Sequence, residues 1–159
     1  TKLRGEEAIL KTMPNNAMVI RTSWIYSKYG NNFVNTMLDL GRVKNEINVV
    51  NDQIGSPTYA DDIANDILKI IDNKNFINTI MPTEIYHYSN LGEVSWYDFA
   101  KEIFKIAKLD CKVRPIKTSS YPTPAKRPLN TMLNKNKIVQ EFKVSLNFWR
   151  DSLKKNLTN

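Results

Sequence analysis

Apolar residues recur along the chain with two periods, one typical of helices and the other typical of strands. Residues 1–13 have helical spacing, and the continuous apolar run 17–20 is typical of a parallel strand covered on both faces. Later segments repeat the alternation, with strands predicted at 47–50, 85–89 and 113–117 and closing helices at 135–141 and 146–157. Strands alternating with helices predict an α/β fold, and since no linker is evident we expect residues 1–159 to form a single compact unit.

Polar residues at the predicted helix starts give capping signals. One of the asparagines 31–32 can cap a helix that Gly41 is expected to end, because glycine is common just past a helix C-terminus. Thr58 and Ser95 each stand three residues before an aspartate, which is the spacing of a capping box. Each therefore predicts the start of a helix, and Trp96 is assigned to the buried face of the second one.

The composition is that of an ordinary globular protein, with 42% hydrophobic and 25% charged residues in a chain of 159. No apolar run approaches the roughly 18 residues that a membrane-spanning helix needs, and residues 1–20 lack the apolar region of a signal peptide. Cys111 is the only cysteine, which excludes an internal disulfide and makes a reducing, cytoplasmic compartment the expectation.

The residues present argue against several kinds of catalytic site. A zinc-type cluster needs several His and Cys ligands, whereas His87 and Cys111 are alone of their types, so no metal site is expected. Neither a Gly-x-Gly-x-x-Gly turn nor a Walker loop occurs. Helix capping or solvation explains the paired carboxylates Asp61 and Asp62, and His87 is expected to be structural.

Two segments could nevertheless carry a binding site. Thr22, Ser23 and Trp24 follow the first predicted strand, at the carboxyl end where open α/β sheets bind ligands. From spacing alone, Trp24 is either part of the core or a stacking surface. Arg127 lies in a proline-rich loop, and a guanidinium held there would suit a diphosphate.

Five blocks of the sequence occur in the order typical of one family: 21–26, 32–34, 49–59, 95–100 and 124–128. The first contains Arg-Thr-Ser-Trp and the third contains Asp-Gln-x-Gly-Ser-Pro-Thr, two motifs that are specific in combination. The chain thus resembles the dTDP-4-dehydrorhamnose reductase family of extended short-chain dehydrogenases/reductases over essentially its whole length. The resemblance implies the C-terminal part of a Rossmann-like fold plus a smaller α/β substrate domain.

The resemblance also implies a reaction and roles for named residues. The reaction is reduction of dTDP-4-dehydro-L-rhamnose to dTDP-L-rhamnose by NADPH, or alternatively NADH, in cell-surface polysaccharide biosynthesis. Thr22 and Ser23 would lie near the nicotinamide, and Trp24 would pack against the sugar. Gln53 and Arg127 would contact the sugar nucleotide, although loop residues can equally brace the domain. A homodimer is compatible with this family.

The first residues match the end of the family's Tyr-x-x-x-Lys motif. Lys2 would then lower the pKa of the upstream tyrosine and hold the nicotinamide ribose. We therefore expect a fragment, in which residues 1–30 are the end of a nucleotide-binding domain and 31–159 are mainly a substrate-binding domain. Without the tyrosine and the cofactor turn, the fragment alone is expected to be inactive.

Two other functions stay open. The regulatory subunit of methionine adenosyltransferase is similar to this family and uses the same fold as a non-catalytic partner. The net charge of +7 also allows a basic module that binds nucleic acid, with affinity that falls steeply with salt. Because the positive residues are spread over many elements, a solvated basic surface without nucleic acid is the favoured interpretation.

Overall fold

The computed structural model describes residues 1–72 and 80–158 and has the predicted alternation of strands and helices. Its helices are α1 (Lys2–Thr12), α2 (Phe33–Val43), α3 (Ala60–Ile71), α4 (Trp96–Ala107), α5 (Asn136–Phe142) and α6 (Trp149–Thr158). Its strands are β1 (Met18–Thr22), β2 (Ile25–Tyr26), β3 (Glu46–Val50), β4 (Ile54–Gly55), β5 (Thr58–Tyr59), β6 (Glu84–Tyr88), β7 (Val94–Ser95) and β8 (Lys112–Ile116).

The strands pair in short sheets of two. Parallel pairs are formed by β1 with β6, β2 with β5, and β3 with β8, whereas β4 and β7 are antiparallel. Parallel neighbours need a long crossover connection, and α2 and α3 lie in the crossover between β1 and β6. The register sets Thr22 beside Tyr88, so the segments that follow these two strands meet at one edge.

Two apolar clusters hold the elements together. The larger lies among α2, α4 and β3, where Val34, Phe99 and Ile103 are completely buried. The smaller joins α3, β6 and α5 through residues that include Ile70 and Ile138. Burying one such side chain contributes about 1.5–3 kcal/mol, so these clusters fix the helices that surround the site described below.

Two of the three predicted helix caps are confirmed. The side chain of Asn32 accepts a hydrogen bond from a backbone N–H of α2 at 3.1 Å, and that of Ser95 does so for α4 at 3.0 Å. The predicted cap at Thr58 is wrong, because its hydroxyl instead donates to the backbone carbonyl of Ser23 at 2.7 Å. A buried hydroxyl next to another strand end is satisfied there and does not turn to its own helix.

The prediction that Gly41 ends α2 is also wrong, because the helix continues to Val43. A Cβ atom at Gly41 would lie 2.8 Å from Cε1 of Phe104 and 3.0 Å from Cδ1 of Leu109. The missing side chain lets α4 and the turn after it approach α2 closely. Here the glycine meets a tertiary packing requirement within a helix, although glycine lowers helix propensity.

The first two elements are less buried than the sequence suggests. Residues 18–20 are half-buried in the part of the chain that the structure describes. Helix α1 has no buried residue, and Leu3 and Met13 are 59% and 50% exposed. None of the described helices has the length and apolar composition that crossing a bilayer requires.

Candidate functional site

One cavity collects all the residues that the sequence analysis assigns to a site. Its volume is about 900 Å³, which is within the range of small-molecule sites. Its lining includes Lys2, Thr22, Ser23, Trp24, Gln53 and Arg127. A smaller cavity of about 460 Å³, beside α2, contains none of these residues.

The loop that precedes α3 fixes Thr22 and Ser23 at the end of β1. The Ser23 hydroxyl donates to the backbone carbonyl of Ser56 at 3.0 Å, and the Thr22 hydroxyl donates to the hydroxyl oxygen of Thr58 at 3.1 Å. Ser56 and Thr58 are themselves completely buried. Because Thr22 and Ser23 donate their hydroxyl hydrogens within the protein, each oxygen keeps lone pairs with which it can accept a hydrogen bond from a ligand.

A buried polar network supports this loop from behind. The backbone carbonyl of Asn90 accepts a hydrogen bond from the Ser56 hydroxyl at 2.5 Å, and its side-chain oxygen accepts one from the Tyr59 N–H at 2.8 Å. Its own amide donates to Asp62 at 2.7 Å, and Ser152 donates to the same carboxylate oxygen at 2.5 Å. Asp62 is only 4% exposed, so the expectation that capping or solvation explains it is wrong. The carboxylate instead joins α3 and α6 to the loop behind the cavity.

Trp24 forms a strained part of the cavity wall. Its backbone lies in the left-handed region, with φ of 50°. For a residue other than glycine, that conformation costs about 1–3 kcal/mol, which surrounding contacts must offset. Its indole stacks on that of Trp96, and a Cβ atom at Gly55 would lie only 2.6 Å from Trp24 Cε2. The glycine of the Gly-Ser-Pro-Thr motif therefore makes room for the indole.

Gln53 both lines the cavity and braces the loop beside it. Its amide nitrogen donates to the hydroxyl of Thr118 at 3.2 Å. Asp52 accepts two further hydrogen bonds from Thr118, at 2.6 Å from the hydroxyl and 2.9 Å from the backbone N–H. The Thr118 hydroxyl is the main cause that lowers the pKa of Asp52 below its ordinary value. The amide oxygen of Gln53 accepts none of the hydrogen bonds found among the described residues, which leaves it available to a ligand.

Thr118→Val is expected to raise the pKa of Asp52, because it removes the hydroxyl donor that favours the carboxylate. In the folded protein the pKa of Asp52 is below its unfolded value, so the bond from Thr118 stabilises the fold at pH values above the unfolded pKa. This stabilisation is lost as the pH falls through the folded-state pKa of Asp52. Carboxyl NMR titration of both proteins measures the change. Glu84 serves as the internal control, since Lys137 lowers its pKa independently. An unchanged Asp52 pKa would contradict the assigned bond.

Two exposed cations, Lys2 and Arg127, also line the cavity. Within residues 1–72 and 80–158, neither side chain has an ion pair or hydrogen bond, whereas Arg114 is paired with Glu46. Ammonium and guanidinium groups without a protein partner can bind an anionic ligand, and a guanidinium can do so with two parallel N–H donors.

Three aromatic residues at the cavity were not predicted to belong to a site: Phe33, Trp96 and Tyr121. Periodicity places Phe33 and Trp96 on buried helix faces, and both do contact the core. Each is also the first residue of a capped helix, where the buried face ends and the loop begins. That position is the signal that could have identified them.

The cavity thus combines cationic, hydroxyl, amide and aromatic groups. The cations suit phosphate or carboxylate, the indole suits the face of a sugar or base, and the hydroxyls and amide suit polar ring substituents. The arrangement is that of a site for an anionic ligand that carries a polar ring.

Comparison with known proteins gives consistent matches. The dTDP-4-dehydrorhamnose reductase of Sinorhizobium fredii is 40% identical over 159 residues, which cover 98% of this chain and 53% of that protein. The structure of a Clostridium acetobutylicum dTDP-4-dehydrorhamnose reductase matches with a TM-score of 0.88 and 39% identity, over 98% of this chain and 52% of that one. The structure of a Bacillus anthracis dTDP-4-dehydrorhamnose reductase in complex with NADP matches with a TM-score of 0.83 and 38% identity. This match covers 96% of this chain and 51% of that one. The chain spans about half the length of these relatives.

The structural matches confirm the predicted fold, the C-terminal part of an extended short-chain dehydrogenase/reductase. The family described as RmlD substrate binding domain matches residues 1–159, the full length of the sequence. The motif blocks, the α/β fold and this match lead to one conclusion: the chain belongs to the RmlD substrate binding domain family.

Proposed function

We propose that the chain is the C-terminal half of an NADPH-dependent reductase that converts dTDP-4-dehydro-L-rhamnose to dTDP-L-rhamnose. The observation that carries the proposal is the single cavity shared by Lys2, Trp24 and Arg127. Relatives named dTDP-4-dehydrorhamnose reductase, at 40% and 41% identity over nearly the whole chain, support it. The free, buried thiol of Cys111 is compatible with a reducing cytoplasmic compartment.

In this proposal, residues 1–30 complete a nucleotide-binding domain and residues 31–159 form mainly the substrate-binding domain. The surface of α1 and its C-cap supports the division, because Leu3 in the helix and Met13 directly after it are at least half exposed. Exposed apolar side chains on one helix are typical of a surface that another part of a protein covers. The cavity lies where the two domains would meet, because it is lined by Lys2 from residues 1–30 and by Arg127 from residues 31–159.

The groups at the end of β1 fit a reduced nicotinamide cofactor, which supplies the hydride when it is bound. The hydroxyl oxygens of Thr22 and Ser23 can accept hydrogen bonds from a carboxamide NH₂, because their own hydrogens are already donated. The Lys2 ammonium can donate to ribose hydroxyls. Its positive charge also favours the ionised form of a neighbouring phenol and so lowers the pKa of a tyrosine that protonates the sugar oxygen.

On the substrate side, three residues have distinct roles. Trp24 packs its indole against the sugar ring, and Gln53 accepts a hydrogen bond from a sugar hydroxyl through its free amide oxygen. Arg127 binds the diphosphate with two parallel N–H donors. These contacts hold the carbonyl to be reduced at a fixed distance from the nicotinamide end of the cavity.

The proposal is tested with the whole protein, NADPH and dTDP-4-dehydro-L-rhamnose, by following NADPH absorbance. We expect oxidation of NADPH that depends on the sugar nucleotide, and no oxidation by the 159-residue chain alone. Binding of the sugar nucleotide without oxidation of NADPH would instead support the non-catalytic partner. Tight retention on a polyanion with a steep salt dependence would support the nucleic-acid module.

Arg127→Lys is expected to raise the KM for the sugar nucleotide about ten- to a hundredfold, because a hydrogen bond to a charged group contributes roughly 1.5–3 kcal/mol. The diphosphate is remote from the reacting carbonyl, so kcat should change much less. Steady-state kinetics of the parent and of the Arg127→Lys protein measure the changes in KM and kcat separately. Arg114→Lys, at an ion pair outside the cavity, is the matched control. An unchanged KM with a lower unfolding temperature would make Arg127 a structural brace.

A further inference from the structure

We propose that Trp96 is a positioning residue that holds the indole of Trp24 in the orientation in which it meets the sugar. The inference rests on the proposed function for the identity of the ligand. The contact between the two indoles is a property of the fold itself, and can be measured without any ligand. Periodicity assigns Trp96 only to a helix core, so this role is an addition to its packing.

The two indoles form a close, nearly parallel stack. Their ring centroids are 3.5 Å apart and their planes differ by 10°. Most aromatic pairs in proteins are offset or edge-to-face, whereas this arrangement covers most of one indole face with the other ring. Trp96 therefore occupies one face of Trp24, and Gly55 lies against the six-membered part of the same indole.

The backbone of Trp24 makes such support necessary. Its φ of 50° is in the region that bulky residues seldom adopt, and one hydrogen bond, from the Thr58 N–H to the Trp24 carbonyl at 3.2 Å, fixes the peptide. That bond holds the main chain but leaves the side-chain torsions free. The stack with Trp96 and the close approach of Gly55 restrict those torsions.

Trp96 is itself held from two sides. The ring of Phe33 lies against it, with centroids 4.4 Å apart and planes tilted by 47°. Trp96 follows the Ser95 cap directly, and Phe33 follows the Asn32 cap, so both rings sit at helix ends whose positions the caps define. Two capped helices thus place a pair of rings behind Trp24, on the wall of the cavity.

Substrate kinetics test the role in the whole protein. Trp96→Ala should raise the KM for the sugar nucleotide about three- to tenfold with a smaller change in kcat, as expected for loss of one aromatic pair. Trp96→Phe should restore part of the loss. In a double-mutant cycle with Trp24→Ala, the KM effects should not add, because Trp96 acts through Trp24. Additive effects, or an unchanged KM in Trp96→Ala, would overturn the proposal.

Trp149→Phe is the control for a general loss of stability. Trp149 is buried against Phe99, with centroids 5.6 Å apart, and does not line the cavity. The Trp149→Phe variant should have a lower unfolding temperature and an unchanged KM for the sugar nucleotide. An equal rise in KM in this control would show that Trp96 acts only through stability.

Fluorine NMR of protein labelled with 5-fluorotryptophan separates this proposal from the proposed function. Trp96→Ala should broaden the Trp24 resonance, because the released indole exchanges between orientations, and Trp149→Phe should leave its linewidth unchanged. A shift without broadening reflects only the lost ring current of Trp96. This outcome does not depend on the substrate. If the whole protein fails to reduce the sugar nucleotide, the proposed function fails alone; an unchanged Trp24 linewidth in Trp96→Ala overturns the positioning role.

Discussion

Replacing Gly55 by alanine is expected to lower the free energy of unfolding by about 1–3 kcal/mol, the usual cost of inserting a methyl group into a packed site. The new Cβ would lie 2.5 Å from the hydroxyl oxygen of Thr131 and 2.6–2.7 Å from two atoms of the Trp24 indole. Because the indole is stacked on Trp96, it cannot move away without breaking that contact. We therefore also expect a higher KM for the sugar nucleotide, since the cavity wall must shift.

Gln140→Ala is the control, because Gln140 is exposed in α5 and does not line the cavity. Alanine has the highest helix propensity, so this variant should be equally or more stable than the parent. Urea denaturation of the whole protein compares the two variants. A Gly55→Ala protein with parental stability and parental KM would contradict the packing assigned to Trp24.

Asp62→Ala is expected to lower the free energy of unfolding by about 3–5 kcal/mol, because several donors at a buried site lose their acceptor and each such loss costs roughly 1–3 kcal/mol. The carboxylate accepts hydrogen bonds from Asn90, Ser152 and Asn147, at 2.7, 2.5 and 3.0 Å. Removing it leaves three donors without their acceptor in a region closed to solvent. Since Asn90 also holds the loop behind the cavity, activity should fall together with stability.

Asp61→Ala provides the control from the neighbouring position. Asp61 is exposed and accepts a hydrogen bond from the Tyr59 hydroxyl at 2.7 Å. It lies in the first turn of α3, where a carboxylate contributes about 0.3–1 kcal/mol, so its loss should be small. Chemical denaturation measures both variants. Equal losses for Asp61→Ala and Asp62→Ala would contradict the buried network.

Local rules predicted those parts of the fold whose causes are local. The caps at Asn32 and Ser95 depend on a side chain and a backbone N–H within one turn, and both were correct. Gly41 and Thr58 were misread because the deciding neighbours, Phe104 and Ser23, are distant in the sequence. No periodicity or capping rule contains such contacts.

In the candidate site, too, sequence patterns predicted some residues correctly and missed those whose environment depends on distant parts of the chain. The predicted site residues share one cavity: Lys2 lies in α1, and the others lie at the end of or after the parallel strands β1, β3 and β8. Asp62 was attributed, together with Asp61, to helix capping or solvation, and only the packing of α6 against it shows otherwise. Trp96 was likewise assigned to the core, since a helical stripe cannot show that its first member also reaches a cavity.

Hydride transfer to the sugar is the most direct test of the central claim. The whole protein would be incubated with dTDP-4-dehydro-L-rhamnose and NADPH that carries deuterium at both C4 positions of the nicotinamide, and the product analysed by mass spectrometry and NMR. We predict dTDP-L-rhamnose with deuterium at C4 of the sugar. Binding of both compounds without transfer of deuterium to the sugar would contradict the claim that this chain is the substrate domain of a dTDP-sugar reductase.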